Sequence, residues 1–154
     1  MSSILPLPPS VVGEFVGRAH SDLMRVSELL TQYPTVLNAA FDWGNGDWET
    51  ALGAAAHSGR RDIVEFLLNK GARIDVFAAA LLGRVSLVKA FVHETPGVLH
   101  QSGPHGITLW EHAKLGRDPE TMAYLNRLLN PEKARAAAKA ARTRASKSKR
   151  RRAA

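Results

Sequence analysis

Residues 50–75, TALGAAAHSGRRDIVEFLLNKGARID, carry two short apolar patterns on either side of Gly59. The first is rich in alanine and predicts a helix thin enough for a neighbour to approach closely. The second has apolar pairs at 63–64 and 67–68, which is the spacing of an apolar stripe on a helix. Neither pattern is long enough to bury itself. The segment therefore predicts a helix-turn-helix unit that needs neighbours on both sides.

Related units are found when the chain is aligned with itself, because a unit that cannot fold alone is expected to be repeated. At an offset of 24 residues, 55–68 (AAHSGRRDIVEFLL) aligns with 79–92 (AALLGRVSLVKAFV). At an offset of 62 residues, 29–38 (LLTQYPTVLN) aligns with 91–100 (FVHETPGVLH). The chain therefore carries at least three related units.

A fourth and weaker unit runs from Gly106 to Leu129. Its Gly116 comes one residue early relative to Gly59 of the second unit. Its second helix is expected to begin with Asp118 as the N-cap and a proline at the first helical position. We expect this last unit to be an altered, capping one.

These features resemble the ankyrin repeat, whose signature is T-P-L-H-x-A followed by a second helix and a Gly-Ala turn. The segment 50–55 (TALGAA) holds the Thr, Leu and Ala of that signature and lacks its Pro and His, while Gly59 and 71–72 (GA) fall at the family's positions. The similarity covers roughly residues 10–129 and is specific in the second unit. It implies an all-α ankyrin-repeat solenoid of about four degenerate helix-turn-helix units with short β-hairpin-like finger loops.

A narrower resemblance is carried by DWGNGDWETALGAAAHSGRRDI (42–63) together with GPHGIT (103–108). These stretches are similar to small bacterial stand-alone ankyrin repeat proteins. The resemblance implies a fold and a mode of action, which is the binding of another protein.

Composition limits the alternatives. The chain has 154 residues, of which 45% are hydrophobic and 6% aromatic, as suits one Ala- and Leu-rich helical domain. Disulfides and thiolate sites are excluded because the chain has no cysteine. The N-terminus, MSSILPLPPSVV, lacks a basic region before its apolar residues, so we expect no signal peptide. With no apolar run of membrane length, a cytoplasmic location is expected.

Charge separates the chain into parts. Residues 131–154 hold 10 Lys/Arg and one Glu, a net charge of +9, whereas residues 1–130 hold 11 Lys/Arg and 13 Asp/Glu, a net charge of −2. We therefore expect a flexible N-terminal segment at 1–9, an ankyrin repeat domain at 10–130 and a basic Ala/Lys/Arg-rich tail at 131–154. The tail is expected to be part helical and part disordered.

The tail allows three interpretations: a solubilising extension, a sequence-independent contact with DNA or RNA, or a nuclear import signal. It has no aromatic residue to stack on bases, so specific nucleic-acid recognition is not expected. The candidate polyanion-binding residues are Lys139, Arg142, Arg144, Lys147, Lys149, Arg150, Arg151 and Arg152.

The most distinctive local motif is FDWGNGDWE (41–49), which predicts a first finger loop. Asn45 and Gly46 favour a two-residue type I′ hairpin, which would place Trp43 and Trp48 opposite each other. The two rings either pack on each other and on the adjacent repeat or contact a partner, and Asp47 belongs to the same candidate surface. The carboxylates here lack the ligand spacing of a calcium loop, so no metal is expected.

The second finger is HQSGPHGIT (100–108), where glycines and Pro104 enforce turns around His105. The histidines make no close ligand pair along the sequence, and His105 is interpreted as a turn or surface residue. His57, on the first helix of unit two, is either a contact residue or simply exposed.

No catalytic or nucleotide-binding motif is found, and neither an enzyme, a cofactor nor a metal is expected. The sequence thus predicts a monomeric, non-catalytic scaffold or adaptor that binds an unidentified partner protein through its concave face and finger loops. The alternative is a polyanion-associated protein that uses the tail. The candidate partner-binding residues are Trp43, Asn45, Asp47, Trp48, His57, Pro104 and His105.

Overall fold

The computed structural model describes residues 6–152, with side chains described as far as residue 145. Helices in this part of the chain form four successive pairs, each joined by a short turn. The pairs are α1 (Pro9–Arg18) with α2 (Leu23–Gln32), α3 (Ala51–His57) with α4 (Arg61–Asn69), α5 (Val76–Leu81) with α6 (Val85–Glu94), and α7 (Leu109–Gly116) with α8 (Pro119–Leu129). The prediction of an all-α solenoid of four helix-turn-helix units is confirmed.

The connections between pairs repeat the alignment found in the sequence. Units one and three each end in a 3₁₀ turn that starts at a proline, Pro34–Asn38 and Pro96–His100. Strands β1 (Ala40–Asp42) and β2 (Trp48–Thr50) form the first finger. A short 3₁₀ turn at Pro104–Gly106 forms the tip of the second finger.

The first helix of each later unit begins at a side-chain N-cap, which satisfies one of the free amides at a helix start. Thr50 accepts from the amide of Gly53, Asp75 from that of Ala78, and Thr108 from that of Glu111. Asp118 accepts from the amide of Thr121 at the start of α8, as the sequence predicts. All four caps mark where a helix begins, and Thr50 and Thr108 also mark where the two fingers end.

The turns inside the units explain the early glycine of unit four. Gly59 (φ 69°) and Gly83 (φ 71°) end α3 and α5 in the left-handed region, where glycine has no steric penalty. In unit four the left-handed residue is Arg117 (φ 57°). Gly116 is needed one position earlier, because a Cβ there would lie 2.8 Å from the carbonyl carbon of Leu81 on α5.

The core lies between the helix pairs and is built largely from the first helices. Five of the seven α3 residues from Ala51 to His57 are apolar and buried, and so are five of the six α5 residues. Two apolar clusters fill the interior, one around units one and two and one around units three and four. Because α3 and α5 present mostly alanine, α3, α5 and α7 pack side by side at close range.

The basic tail is a further helix, α9 (Pro131–Arg152). Its side chains from 131 to 145 are exposed, apart from a half-buried Ala134. The side chains of the candidate residues Lys147, Lys149, Arg150, Arg151 and Arg152 lie outside the described part, as do residues 1–5 of the expected N-terminal segment. Among the described residues, no helix is both long and apolar enough to span a membrane.

We predict that Gly116→Ala lowers the free energy of unfolding by about 1–3 kcal/mol, because the new methyl group overlaps the α5 backbone. The higher helix propensity of alanine offsets only part of this cost. Chemical denaturation followed by circular dichroism measures the change.

Gly97→Ala is the matched control, since a Cβ at 97 meets no atom within 4 Å and the residue does not have a positive φ. We expect this variant to change stability by less than about 1 kcal/mol. Equal destabilisation of the two variants would contradict the close approach of α7 to α5.

His112 on α7 is a buried histidine in which only one ring nitrogen has a hydrogen-bond partner among the described residues. Its Nδ1 lies 2.8 Å from the carbonyl oxygen of Thr108, and its Nε2 is buried without a hydrogen-bond partner among the described residues. The ring packs against Phe77, with centroids 4.9 Å apart. Burial lowers the pKa of His112 below the ordinary histidine value, because the charged ring would lose its hydration.

This burial makes stability depend on pH. The unfolded chain binds a proton at His112 near pH ~6.5, whereas the folded chain stays neutral there until the pH is lower. The contribution of the neutral, buried His112 to the free energy of unfolding is therefore fully present above the pKa that His112 has in the unfolded chain. It is lost as the pH falls below that pKa. We predict that the denaturation midpoint of His112→Asn falls less steeply between pH 7 and about 5 than that of the wild type. Asparagine can still donate a hydrogen bond to the Thr108 carbonyl. The same pH dependence of the midpoint in the two proteins would contradict this prediction.

Candidate functional site

The first finger is a hairpin whose register differs from the prediction by one residue. Asp42 pairs with Trp48, and the amide of Trp43 donates to the carbonyl of Asp47 at 3.0 Å. The loop between the paired residues therefore has three residues, all with positive φ: Gly44 (115°), Asn45 (56°) and Gly46 (80°). The predicted two-residue loop is wrong because Gly44 also adopts a left-handed conformation, stabilised by a hydrogen bond from its amide to the Asp42 carboxylate (2.8 Å).

This register separates the two tryptophans, because alternate residues of a strand point to opposite faces. The predicted placement of Trp43 opposite Trp48 is therefore wrong. Trp43 packs edge-on against Phe41, with centroids 4.8 Å apart, and lies over Gly17 of α1. Trp48 is 61% exposed, compared with 44% for Trp43. Trp43 thus holds the finger against α1, while Trp48 faces solvent.

Glu49 of β2 is a buried carboxylate at the base of the first finger, with 1% of its surface exposed. The indole Nε1 of Trp43 donates to its Oε2 at 2.7 Å, and Nε2 of His57 lies 2.7 Å from its Oε1. A buried charge requires such partners, since it has lost its hydration. The hairpin and the C-terminal end of α3 are therefore joined through Glu49.

Two further histidines complete the surroundings of Glu49. Nε2 of His105 lies 3.5 Å from its Oε2, and Nε2 of His20, in the turn after α1, lies 3.7 Å from the same atom. The ring of His57 contacts both other rings edge-on, with centroids 4.9 Å from His20 and 5.1 Å from His105. We call His20, Glu49, His57 and His105 the histidine cluster.

Asp47 joins the two fingers. Its carboxylate accepts from the backbone amide of His105 at 2.9 Å and bonds to Nδ1 of the same residue at 2.7 Å. His105 has a left-handed backbone (φ 58°), which costs a residue with a Cβ roughly 1 kcal/mol. The two bonds from Asp47 help to hold this conformation. The prediction that the second finger turns around His105 is confirmed.

The electrostatics of the two carboxylates follow from these contacts. Burial opposes ionisation of Glu49, but the hydrogen bonds from His57 and Trp43 and the charge of His20 together keep its pKa below the ordinary value. The hydrogen bond from the His105 amide lowers the pKa of Asp47, with a further contribution from the His105 ring. Both carboxylates are therefore ionised near neutral pH.

The predicted partner-binding residues fall into three groups. Trp43, Asp47, His57 and His105 meet at or beside Glu49, whereas Asn45 and Trp48 are exposed on the first finger. Pro104 packs over Gly53 in the open groove between the fingers. Sequence reasoning missed His20 and did not assign Glu49 a role at this site. Residue alternation offered one signal, since Asp47, just before β2, and Glu49, within it, are two residues apart and so share a face of the extended chain.

These features define a class of protein, a helical repeat solenoid with projecting finger loops before its second and fourth units. The family model described as Ankyrin repeat matches residues 47–80, from the first finger into α5. Over these residues the chain is similar to the ankyrin repeat, and its successive helix pairs are consistent with an ankyrin-repeat solenoid. No curated protein and no solved structure matches the chain. Ankyrin repeats are in general protein–protein interaction modules and are typically non-enzymatic.

We predict that Asp47→Ala loosens the second finger, because it removes both bonds to His105. Hydrogen exchange at the His105 amide should become faster, as measured by mass spectrometry on peptides spanning residues 100–108. Glu94→Ala is the matched control, since the exposed Glu94 carboxylate bonds to His93 on α6 and belongs to neither finger. If both variants exchange like the wild type at His105, Asp47 does not hold the second finger.

Proposed function

We propose that this protein is a non-catalytic interaction module that holds a partner protein on the surface formed by its two finger loops. The observation that carries the proposal is the exposure of Trp48. The Trp48 indole is 61% exposed, so it does not belong to the core. Its backbone is paired with β1, which fixes the position of the side chain. Tryptophan is enriched among the residues that dominate binding energy at interfaces.

The surroundings of Trp48 suit the entry of an apolar side chain. An open groove lies between the fingers, and Trp48, Phe77 and Pro104 line it together with polar groups that include Asp47 and Asp75. Apolar walls with a few polar groups at the edge are typical of the centre and rim of an interface. We infer that a partner inserts an apolar or aromatic residue here and donates hydrogen bonds to the carboxylates.

Binding by this surface would cost little conformational entropy. The first finger is held by strand pairing and by Trp43, and the second is held by Asp47. A surface already ordered in the free protein avoids much of the cost of association. We propose a supporting role for two of the predicted contact residues, because Trp43 and His57 both form hydrogen bonds with the buried Glu49 at the base of the finger.

The tail supports a second candidate function, association with polyanions. The described cations of α9 include Lys139, Arg142 and Arg144, all exposed on a helix whose described side chains offer no broad apolar face. Such a helix can neutralise phosphates without reading sequence, and its affinity would fall steeply with salt. This role would be independent of the finger loops.

We predict that Trp48→Ala reduces partner affinity by roughly 30-fold, or about 2 kcal/mol, while leaving the melting temperature within a few degrees of wild type. Partners are first identified by affinity capture and mass spectrometry, and affinities are then measured with the purified partner. Met24→Ala is the matched control because Met24 is 74% exposed on α2, outside the groove residues.

The same measurement separates the two candidate functions. A chain ending at residue 130 should keep the repeat-mediated complex and lose any salt-sensitive retention of nucleic acid. If Trp48→Ala binds as tightly as Met24→Ala, the finger surface is not the partner site. If removal of the tail alone abolishes capture, the partner is held by the tail.

A further inference from the structure

Four groups that can ligate a metal converge beside the fingers. The ligand atoms of His20, Glu49, His57 and His105 all lie within 4.8 Å of one another. They come from the turn after α1, strand β2, the end of α3 and the tip of the second finger. Glu49 and His57 are eight positions apart, whereas His20 and His105 are far from both in sequence and are brought to them by the fold.

In the rings of His20 and His105, the Nδ1 atom already has a hydrogen-bond partner. Nδ1 of His20 lies 3.0 Å from the carbonyl oxygen of Gly17, and Nδ1 of His105 lies 2.7 Å from the Asp47 carboxylate. A carbonyl and an ionised carboxylate only accept, so in each neutral ring Nδ1 carries the hydrogen and Nε2 presents its lone pair. Metal-binding histidines are oriented in the same way, by donation from the other nitrogen to a carbonyl or carboxylate.

The Nε2 atoms of His20 and His105 then face a carboxylate, which can also only accept hydrogen bonds. Nε2 of His20 and of His105 lie 3.7 and 3.5 Å from Oε2 of the buried Glu49 carboxylate. Lone pairs facing an anion at this range repel unless a proton or a metal ion lies between them. A cation bound by all of these atoms would remove the repulsion and neutralise the buried carboxylate.

We propose that the histidine cluster binds one divalent transition-metal ion of the zinc class. Zinc binds imidazole nitrogen and carboxylate oxygen at about 2.0–2.2 Å in tetrahedral geometry, which places ligand atoms roughly 3.4 Å apart. The separations of 3.5 and 3.7 Å from Oε2 are close to this value, and His57, at 2.7 Å from Oε1, would move outward by less than about 1 Å. The ligand atoms of the cluster lie within 4.8 Å of one another, so the widest pairs would close by about 1 Å on binding. Three imidazoles favour zinc over calcium and magnesium, which prefer oxygen ligands.

The proposal replaces the expectation from sequence spacing that the chain holds no metal. A bound ion would join unit one, both fingers and α3 at a single point. It would lie on the face of the hairpin opposite Trp48, because Glu49 and Trp48 are adjacent on β2. Metal binding and the proposed partner contact are therefore separable by substitution.

The test uses the untagged full-length chain, stripped of metal with a chelator and titrated with zinc chloride in a calorimeter. We expect one zinc ion per chain and a higher melting temperature with zinc, because a ligand that binds only the folded state stabilises it. His20→Gln and His105→Gln should each weaken zinc binding at least ten-fold. Asp47→Asn, which perturbs the partner of the His105 ring, should weaken it by about 10–100-fold.

His93→Gln is the matched control. His93 also lies beside a carboxylate, with Nδ1 3.0 Å from Glu94, but its side chain is 85% exposed and outside the cluster. This variant should bind zinc like the wild type. Circular dichroism of the metal-free variants establishes that each remains folded, as expected for substitutions at the half-exposed His20 and the exposed His105.

Substitution with Co²⁺ reports on the ligands, since a tetrahedral cobalt site absorbs visible light far more strongly than an octahedral one. A tetrahedral spectrum that is lost in His20→Gln and His105→Gln would support the proposal. The proposal is overturned if zinc neither binds nor raises the melting temperature. It is equally overturned if the two variants bind zinc as tightly as His93→Gln, or if magnesium competes on equal terms.

Discussion

The close approach of the first helices is the constraint on which the architecture depends. Helices α3 and α5 present alanine to their neighbours, and Gly116 brings α7 against the backbone of Leu81. The larger buried side chains come from both helices of the pairs, such as Phe15 and Leu109 on first helices and Leu67 and Leu125 on second helices. A unit built in this way has no core of its own and is stable only between its neighbours.

This stacking also brings the fingers together. Each finger leads directly into a capped first helix, through Thr50 in unit two and Thr108 in unit four. Because the connection before α5 has no hairpin, the fingers of units two and four face each other without a third between them, and Asp47 reaches His105 across the gap. The buried charge of Glu49 is stable there because Trp43 and His57 form hydrogen bonds with its two oxygens.

The parts of this arrangement that could be predicted from sequence are those that depend on local pattern. The paired helices follow from apolar spacing, the turn glycines from their need for positive φ, and the N-caps from Asp and Thr at helix starts. The positive φ of Asn45 and Gly46 was predictable in the same way. The register of the hairpin was not, because the conformation of Gly44 depends on its bond to Asp42 and on the packing of Trp43 against α1.

The sequence by itself determined that this chain is a stack of helix pairs with two projecting loops and a cationic end, because periodicity, turn chemistry and charge are local properties. Only the tertiary structure decided that Trp43 supports the finger while Trp48 is exposed, since one residue of register exchanges the faces of a strand. Only the tertiary structure brought His20 and His105 to Glu49. Those residues are 29 and 56 positions from it, and contacts over such distances follow from how the units stack.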